Sequence, residues 1–270
     1  ALCDTLLAND IDMCFANPGT SEMHFVAALD RKQQMRCVLG LFEGVVTGAA
    51  DGYARMAGKP AATLLHTGPG LANALANMHN ARRANTPMVN VVGDHASYHL
   101  PFDAPLTSDI DSLARPMSGH VRRIGSAADV SSATAESIAA ARRTPGCVST
   151  LILPADHAWE AAPQLPPIKA DLRAPTKADP ERVVSAGKAL KTGKKTVILV
   201  SGTALRADAL ETAQAIADAT GATIMAQQSN GRIERGAGRV QINRVPYPVD
   251  QAIAALKGFE QIILCGAKFP

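Results

Sequence analysis

One carboxylate stands out by its setting. Glu43 lies in the stretch 39–60 (LGLFEGVVTGAADGYARMAGKP), flanked by Leu39, Leu41, Phe42, Val45 and Val46. Desolvation disfavours the charged form of an acid, so a carboxylate among apolar neighbours is costly to keep. Directly after it, Gly44, Gly48 and Gly52 recur on one face of an expected helix. Each glycine inside a helix costs roughly 1 kcal/mol against alanine. Three on one face imply that another backbone or a ligand comes close. The same pattern also fits a tightly packed core helix with Glu43 as a capping residue near its N-terminus.

Other chemistry-bearing residues carry weaker patterns. Gly68-x-Gly70-x-x-Asn73 resembles a dinucleotide fingerprint with Asn in place of the third Gly, a device that holds phosphate at a helix N-terminus. A tight turn into a helix explains it equally well. His66 sits where a strand is expected to run into that Gly-rich loop, a position where polar side chains often face a ligand. A structural role fits it too. His95 and His99 are four apart, yet Pro101 and the lack of apolar periodicity argue against a metal-binding helix. His24, His79, His120 and His157 lack any motif context. There is no P-loop, no GxSxG elbow and no HExxH, and no metal ligand is assigned in this chain.

These residues need a scaffold, and the composition supplies one. The 270 residues are 47% hydrophobic and 19% charged, which suits a globular chain of one large or two ordinary domains. Aromatics are only 4%, so packing must rely on Ala, Leu, Val and Ile. A net charge of +3, spread along the chain, points to neither nucleic acid nor an acidic partner. No apolar run approaches the roughly 18 residues of a membrane span. Cys3, Cys14, Cys37, Cys147 and Cys265 show no CxxC spacing and read as buried reduced thiols of a cytoplasmic protein. The opening ALCDTLLAND and the closing Phe269-Pro270 read as cut ends of a longer protein.

Along residues 1–162, helical and strand-like segments alternate. Strands are expected at Asp12–Ala16, Met35–Leu39, Ala61–Leu65, Pro87–Val92 and Val148–Leu153, with helices between them and an irregular stretch from Asp94 to Arg115. Near-continuous apolar strands each followed by a helix predict an α/β fold, a doubly wound parallel sheet covered on both faces. Ligands bind such sheets at the carboxyl ends of strands, where the loops Asn17–Thr20, His66–Gly70 and Gly93–His99 fall. The stretch 163–180 (PQLPPIKADLRAPTKADP), with five prolines, reads as a semi-rigid linker. A second α/β unit, 181–270, follows.

Four segments taken together are more specific than any one of them: NPGTSE (Asn17–Glu22), FEGVVTGAADGYAR (Phe42–Arg55), GPGLAN (Gly68–Asn73) and TPMVNVVGD (Thr86–Asp94). In order and spacing over residues 1–160, they resemble the pyrimidine-binding domain of thiamine-diphosphate enzymes of the acetolactate synthase and benzoylformate decarboxylase group. Residues 181–270 resemble the start of that group's Rossmann-like central domain, C-terminally incomplete. The resemblance implies a lyase or transferase that decarboxylates a 2-oxo acid, performs a carboligation, or both. It implies that Glu43 hydrogen-bonds N1′ of the cofactor's aminopyrimidine and assists formation of the thiazolium ylid at a dimer interface. It also implies catalytic roles for Glu43 and His66, a substrate site at Thr20 and His66, and cofactor contacts at Pro18, Gly19, Glu43, Thr67, Gly68 and Asn73. Where benzoylformate decarboxylase has a serine, this chain has Thr20, which keeps the hydroxyl. Magnesium and diphosphate ligands are expected in a C-terminal domain outside this chain, so the fragment alone should be inactive. The SGTALR loop after Val200 gives no reason to expect FAD. The implied assembly is a homodimer or homotetramer. A non-catalytic α/β module that binds a nucleotide or partner is the competing reading.

Overall fold

The computed structural model describes residues 1–161 and 164–269 and divides into two compact units, Ala1–Pro175 and Thr176–Pro270. The first unit runs α1 (Leu2–Ala8), β1 (Met13–Asn17), α2 (Met23–Arg31), β2 (Arg36–Leu39), α3 (Glu43–Ala57), β3 (Ala61–Leu65), α4 (Thr67–Ala84), β4 (Met88–Asp94), α5 (Ile110–Ala114), β5 (His120–Arg123), α6 (Val130–Arg142), β6 (Val148–Pro154) and α7 (Ala155–Trp159). Its six strands are all parallel, in the order β2-β1-β3-β4-β6-β5. The expected doubly wound sheet is therefore present.

Alternation along the central strands sorts side chains between two cores. Ala62, Leu64, Val89, Val91, Leu151 and Leu153 pack with α1, α2 and α6. Ala61, Leu65, Met88, Val92, Val148 and Ile152 pack beneath α3, α4 and α5. Burying both faces is what makes these strands read as unbroken apolar runs. Three polar residues interrupt the second face in register: Thr63 pairs with Asn90, and Asn90 with Thr150. Thr63 Oγ1 donates to Asn90 Oδ1 at 2.8 Å, Asn90 Nδ2 donates to Thr150 Oγ1 at 3.5 Å, and Ser118 Oγ lies 2.7 Å from Thr150 Oγ1. All three sheet residues are fully buried, so each bond satisfies a group that water cannot reach.

Three elements of this unit escape the sequence reading: β5, α5 and the short α7. β5, with the sequence HVRR, is an edge strand of four half-buried residues and carries no apolar run. α5 is one short turn inside the stretch expected to be irregular, started by Asp109 accepting from the Ser112 amide at 2.9 Å. The cysteines also differ from expectation. All five are free, but only Cys3 and Cys14 are buried, while Cys37 and Cys265 are exposed on the outermost strands of their sheets.

Residues Ala162 and Pro163, where the linker was expected to begin, lie outside the described residues. From Gln164 to Pro175 the chain has no regular secondary structure and stays with the first unit. Asn9 holds it: Nδ2 donates to the Ile168 carbonyl at 2.8 Å and to Thr5 O at 2.7 Å, and Oδ1 accepts from the Ala170 amide at 2.8 Å.

The second unit contains α8 (Pro180–Leu190), β7 (Thr196–Val200), α9 (Ala207–Thr220), β8 (Thr223–Ala226), β9 (Asn243–Arg244), α10 (Val249–Leu256) and β10 (Gln261–Cys265). Its four strands are parallel, in the order β10-β7-β8-β9. No helix among the described residues is long and apolar enough to cross a membrane.

Asn9→Ala removes the two side-chain hydrogen bonds, to Ile168 and Ala170, that hold residues 164–175 in place. Limited trypsinolysis of the variant should cut after Lys169 and Arg173 sooner than in the parent, with the strands unaffected by circular dichroism. Equal cleavage rates would show that Asn9 does not hold the segment.

Candidate active site at the β1–β3 switch point

The chain leaves β1 toward β2 on one side of the sheet and returns through α3 to β3 on the other. The crevice at the carboxyl ends of β1 and β3 is thus a topological switch point, where open α/β sheets bind ligands. β1 delivers Asn17-Pro18-Gly19-Thr20 there, and β3 delivers His66 and Thr67.

At its centre is a residue that went unassigned as part of a motif. Glu22 is 1% exposed, and its Oε2 accepts from the Gly19 amide at 2.7 Å and lies 2.8 Å from His66 Nδ1. A carboxylate can only accept, so the partner nitrogen carries the hydrogen: His66 donates through Nδ1, and Nε2 is its remaining ring position. Glu22 Oε1 has no hydrogen-bond partner among the described residues.

Two glycines make room for this pair. A Cβ on Gly19 would stand 2.3 Å from the His66 ring, and one on Gly93, at the end of β4, would stand 1.7 Å from Glu22 Oε1. The sequence signal for Glu22 was available in these glycines, but glycines at strand ends read first as turns. Beside Gly93, Asp94 is 1% exposed and receives Arg123 Nη1 at 2.6 Å, and Arg123 also bonds Asp111. Burial works against the Arg123 charge, but the bonds to Asp94 and Asp111 outweigh it and push its pKa up.

Glu43 is the first residue of α3 and is 7% exposed. Its burial does not come from the apolar run around it. Leu39, Leu41, Phe42 and Val45 are all exposed, Leu41 to 90%, and of the flanking residues only Val46 is buried. Of this band only Val45 lies on α3, and α4 covers the carboxylate through Gly70 and Asn73. Asn73 Nδ2 donates to Glu43 Oε2 at 3.0 Å, while Oε1 faces Gly70, where a Cβ would stand 2.9 Å away.

The glycine face of α3 is used within the chain. Thr47 Oγ1 donates to the Ala74 carbonyl at 3.2 Å, Asn77 Nδ2 donates to Gly44 O at 2.6 Å, and a Cβ on Gly48 would stand 3.0 Å from Asn77 Nδ2. Gly52 faces open space. Close approach by α4 therefore occurs at Gly48, while the space beside Gly44 is filled by the Phe42 ring, 2.4 Å from an added Cβ.

The first turn of α4 joins the two halves of the site. Thr67 has φ +50° and is fully buried, and its Oγ1 has no hydrogen-bond partner among the described residues. A left-handed conformation at a β-branched residue costs about 1–2 kcal/mol, and such strain gathers at functional sites. Gly68 is occupied by Ser108, whose Cβ would lie 2.2 Å from an added Cβ. With Gly68 against Ser108 and Gly70 against Glu43, neither glycine of the fingerprint is open to a pyrophosphate. Pro18 is half-buried beside Gly19, and Thr20 is exposed at the start of a single 3₁₀ turn with no side-chain hydrogen bond to the other site residues.

Residues 1–115 match the family described as thiamine pyrophosphate enzyme, N-terminal TPP binding domain. The chain is 51% identical over its full length to a Mycobacterium tuberculosis protein provisionally named acetolactate synthase large subunit IlvX, of which it spans 52%. It is 30% identical over 59% of its length to benzoylformate decarboxylase of Pseudomonas aeruginosa, of which it spans 30%. Its fold superposes over its full length, with TM-score 0.85 and 25% identity, on 53% of a provisionally assigned thiamin diphosphate-dependent enzyme from Mycobacterium smegmatis. The chain thus spans about half the length of the first relatives it matches.

If Gly93 exists to admit Glu22, Gly93→Ala should cost roughly 1–3 kcal/mol in urea denaturation. The cost should shrink in a Glu22→Ala background. An equal cost in both backgrounds would reject the contact.

Proposed function

We propose that this chain, whose residues 1–115 match the N-terminal TPP binding domain of thiamine pyrophosphate enzymes, forms the aminopyrimidine half of a thiamine-diphosphate-dependent active site. The substrate is a 2-oxo acid, and the reaction is decarboxylation, carboligation, or both. The observation that carries this reading is the seating of Glu43. Asn73 takes one carboxylate oxygen, and the other faces the glycine floor at Gly70. Those residues fit an aminopyrimidine, a flat ring with one nitrogen that needs a carboxylate partner and no room for a side chain beneath it.

When bound, thiamine diphosphate supplies a carbon nucleophile for the substrate carbonyl and a sink for the electron pair left by carbon dioxide. Glu43 hydrogen-bonds the ring nitrogen N1′ and holds a proton at that position, with Asn73 fixing the rotation of its carboxyl group. His66, oriented by Glu22 through Nδ1, carries a proton on Nε2 to or from the substrate. Thr20 offers a hydroxyl to the substrate carboxylate. Pro18, Gly19, Thr67 and Gly68 shape the walls around the ring.

The exposed band of Leu41, Phe42 and Val45 beside Glu43 supports an assembly, a homodimer or homotetramer, in which a second subunit covers the site and excludes water. Magnesium and the diphosphate are held by a domain outside this chain, FAD is not part of the enzyme, and the fragment alone is inactive. The composition supports a cytoplasmic enzyme.

In the full-length protein, Glu43→Gln should slow hydrogen–deuterium exchange at the cofactor's thiazolium C2 by about a hundredfold or more, followed by NMR. Exchange at the parent rate would remove Glu43 from the mechanism and favour a non-catalytic binding module.

A further inference from the structure

Three side chains that the candidate site does not use converge just after β6. Asp156 and His157 lie on α7, and Glu160 ends that helix. Asp156 and Glu160 each offer a carboxylate oxygen and His157 a ring nitrogen, and these atoms all lie within 4.8 Å of one another. His157 Nδ1 stands 3.8 Å from Asp156 Oδ1 and 3.9 Å from Glu160 Oε2. Both separations are too long for hydrogen bonds.

The buried member of the group is left half satisfied. Asp156 is 3% exposed, and Ser97, beyond the end of β4, donates its hydroxyl to Oδ2. Asp156 Oδ1 is sealed from solvent and has no hydrogen-bond partner among the described residues, and the same is true of His157 Nδ1. Buried charges are paired at close range or coordinate metals. Here a buried carboxylate oxygen and a buried ring nitrogen face each other across a gap, with a second carboxylate at its open side.

We propose that Asp156, His157 and Glu160 bind a divalent transition-metal ion of the zinc type, with Ser97 orienting the Asp156 carboxylate and water completing the shell. One imidazole nitrogen and two carboxylates suit zinc, whereas calcium and magnesium take oxygen ligands. Binding through Nδ1 places the His157 proton on Nε2. Zinc bonds to such ligands are about 2.1 Å long, so neighbouring ligand atoms of a tetrahedral ion stand about 3.4 Å apart. The two separations to His157 exceed that by about half an ångström, which rotation of the exposed Glu160 side chain and of the His157 ring closes. Ser97 acts from outside the shell: by holding Oδ2 it leaves Oδ1 for the ion.

The ion would fix α7, a five-residue helix too short to persist on its own bonds. α7 packs against α2 and against the 3₁₀ turn that carries Glu22, and Trp159 meets His24 of α2 edge-on at 5.7 Å.

The test saturates the full-length protein with thiamine diphosphate and magnesium, so that the cofactor's own metal position is filled, and then titrates Zn²⁺ by isothermal calorimetry. The parent should bind one zinc ion per chain at this site. Glu160→Ala and His157→Ala should each weaken that binding by more than about a hundredfold, and Ser97→Ala by about ten- to a hundredfold. Glu160 is exposed, so its variant should fold as the parent does, and thermal melts check all three. Parental zinc affinity in a folded Glu160→Ala or His157→Ala would overturn the proposal, because the ion would then sit on other ligands such as the exposed Cys37 or Cys265. So would a parent that takes up no zinc.

Discussion

A parallel sheet buried on both faces leaves only the ends of its strands for chemistry, and this constraint arranges everything else in the first unit. The chain reverses direction around β1, so the ends of β1 and β3 open a crevice between their outgoing loops. Glu22, His66 and Thr67 gather there, and Glu43 reaches the same α4 turn from the next helix along. Glycines at 19, 70 and 93 mark where a side chain from one loop must press against the backbone of another. The site is therefore a product of strand topology first and of individual residues second.

The fold was largely legible from pattern. β3 begins and ends where its apolar run predicts, and β1, β2, β4 and β6 fall within two residues of the expected strands. What escaped shares one cause, the absence of an apolar signature. β5 is an edge strand rich in basic residues, β9 has two residues, and α5 and α7 are single short turns. Edge and terminal elements bury too little surface to impose a period on their sequence.

The candidate site was legible unevenly. The loops carrying Pro18, Gly19, His66 and Gly70 could be placed because strand ends can be placed. Glu43 was noticed for its apolar flanks, yet those flanks are exposed and its burial comes from α4. A stretch of sequence shows which residues are adjacent along the chain and not which helix will lie over them. Glu22 illustrates the same gap from the other side. It closes the NPGTSE segment, but how it packs follows from Gly93, far along the chain and at the end of another strand. Of the three glycines on this face of α3, only Gly48 is met by another helix, α4 of the same chain, while Gly44 meets Phe42 and Gly52 faces open space.

The buried row of Thr63, Asn90 and Thr150 bears on how such a sheet can change over evolutionary time. An inserted or deleted residue within β3, β4 or β6 would throw the three polar groups onto opposite faces and strand them in hydrocarbon. Length variation is thereby excluded from the strands and confined to the loops at either end. Those loops include the ones that shape the crevice, so the lineage can remodel what the site accepts while the height of every strand end above the core stays constant.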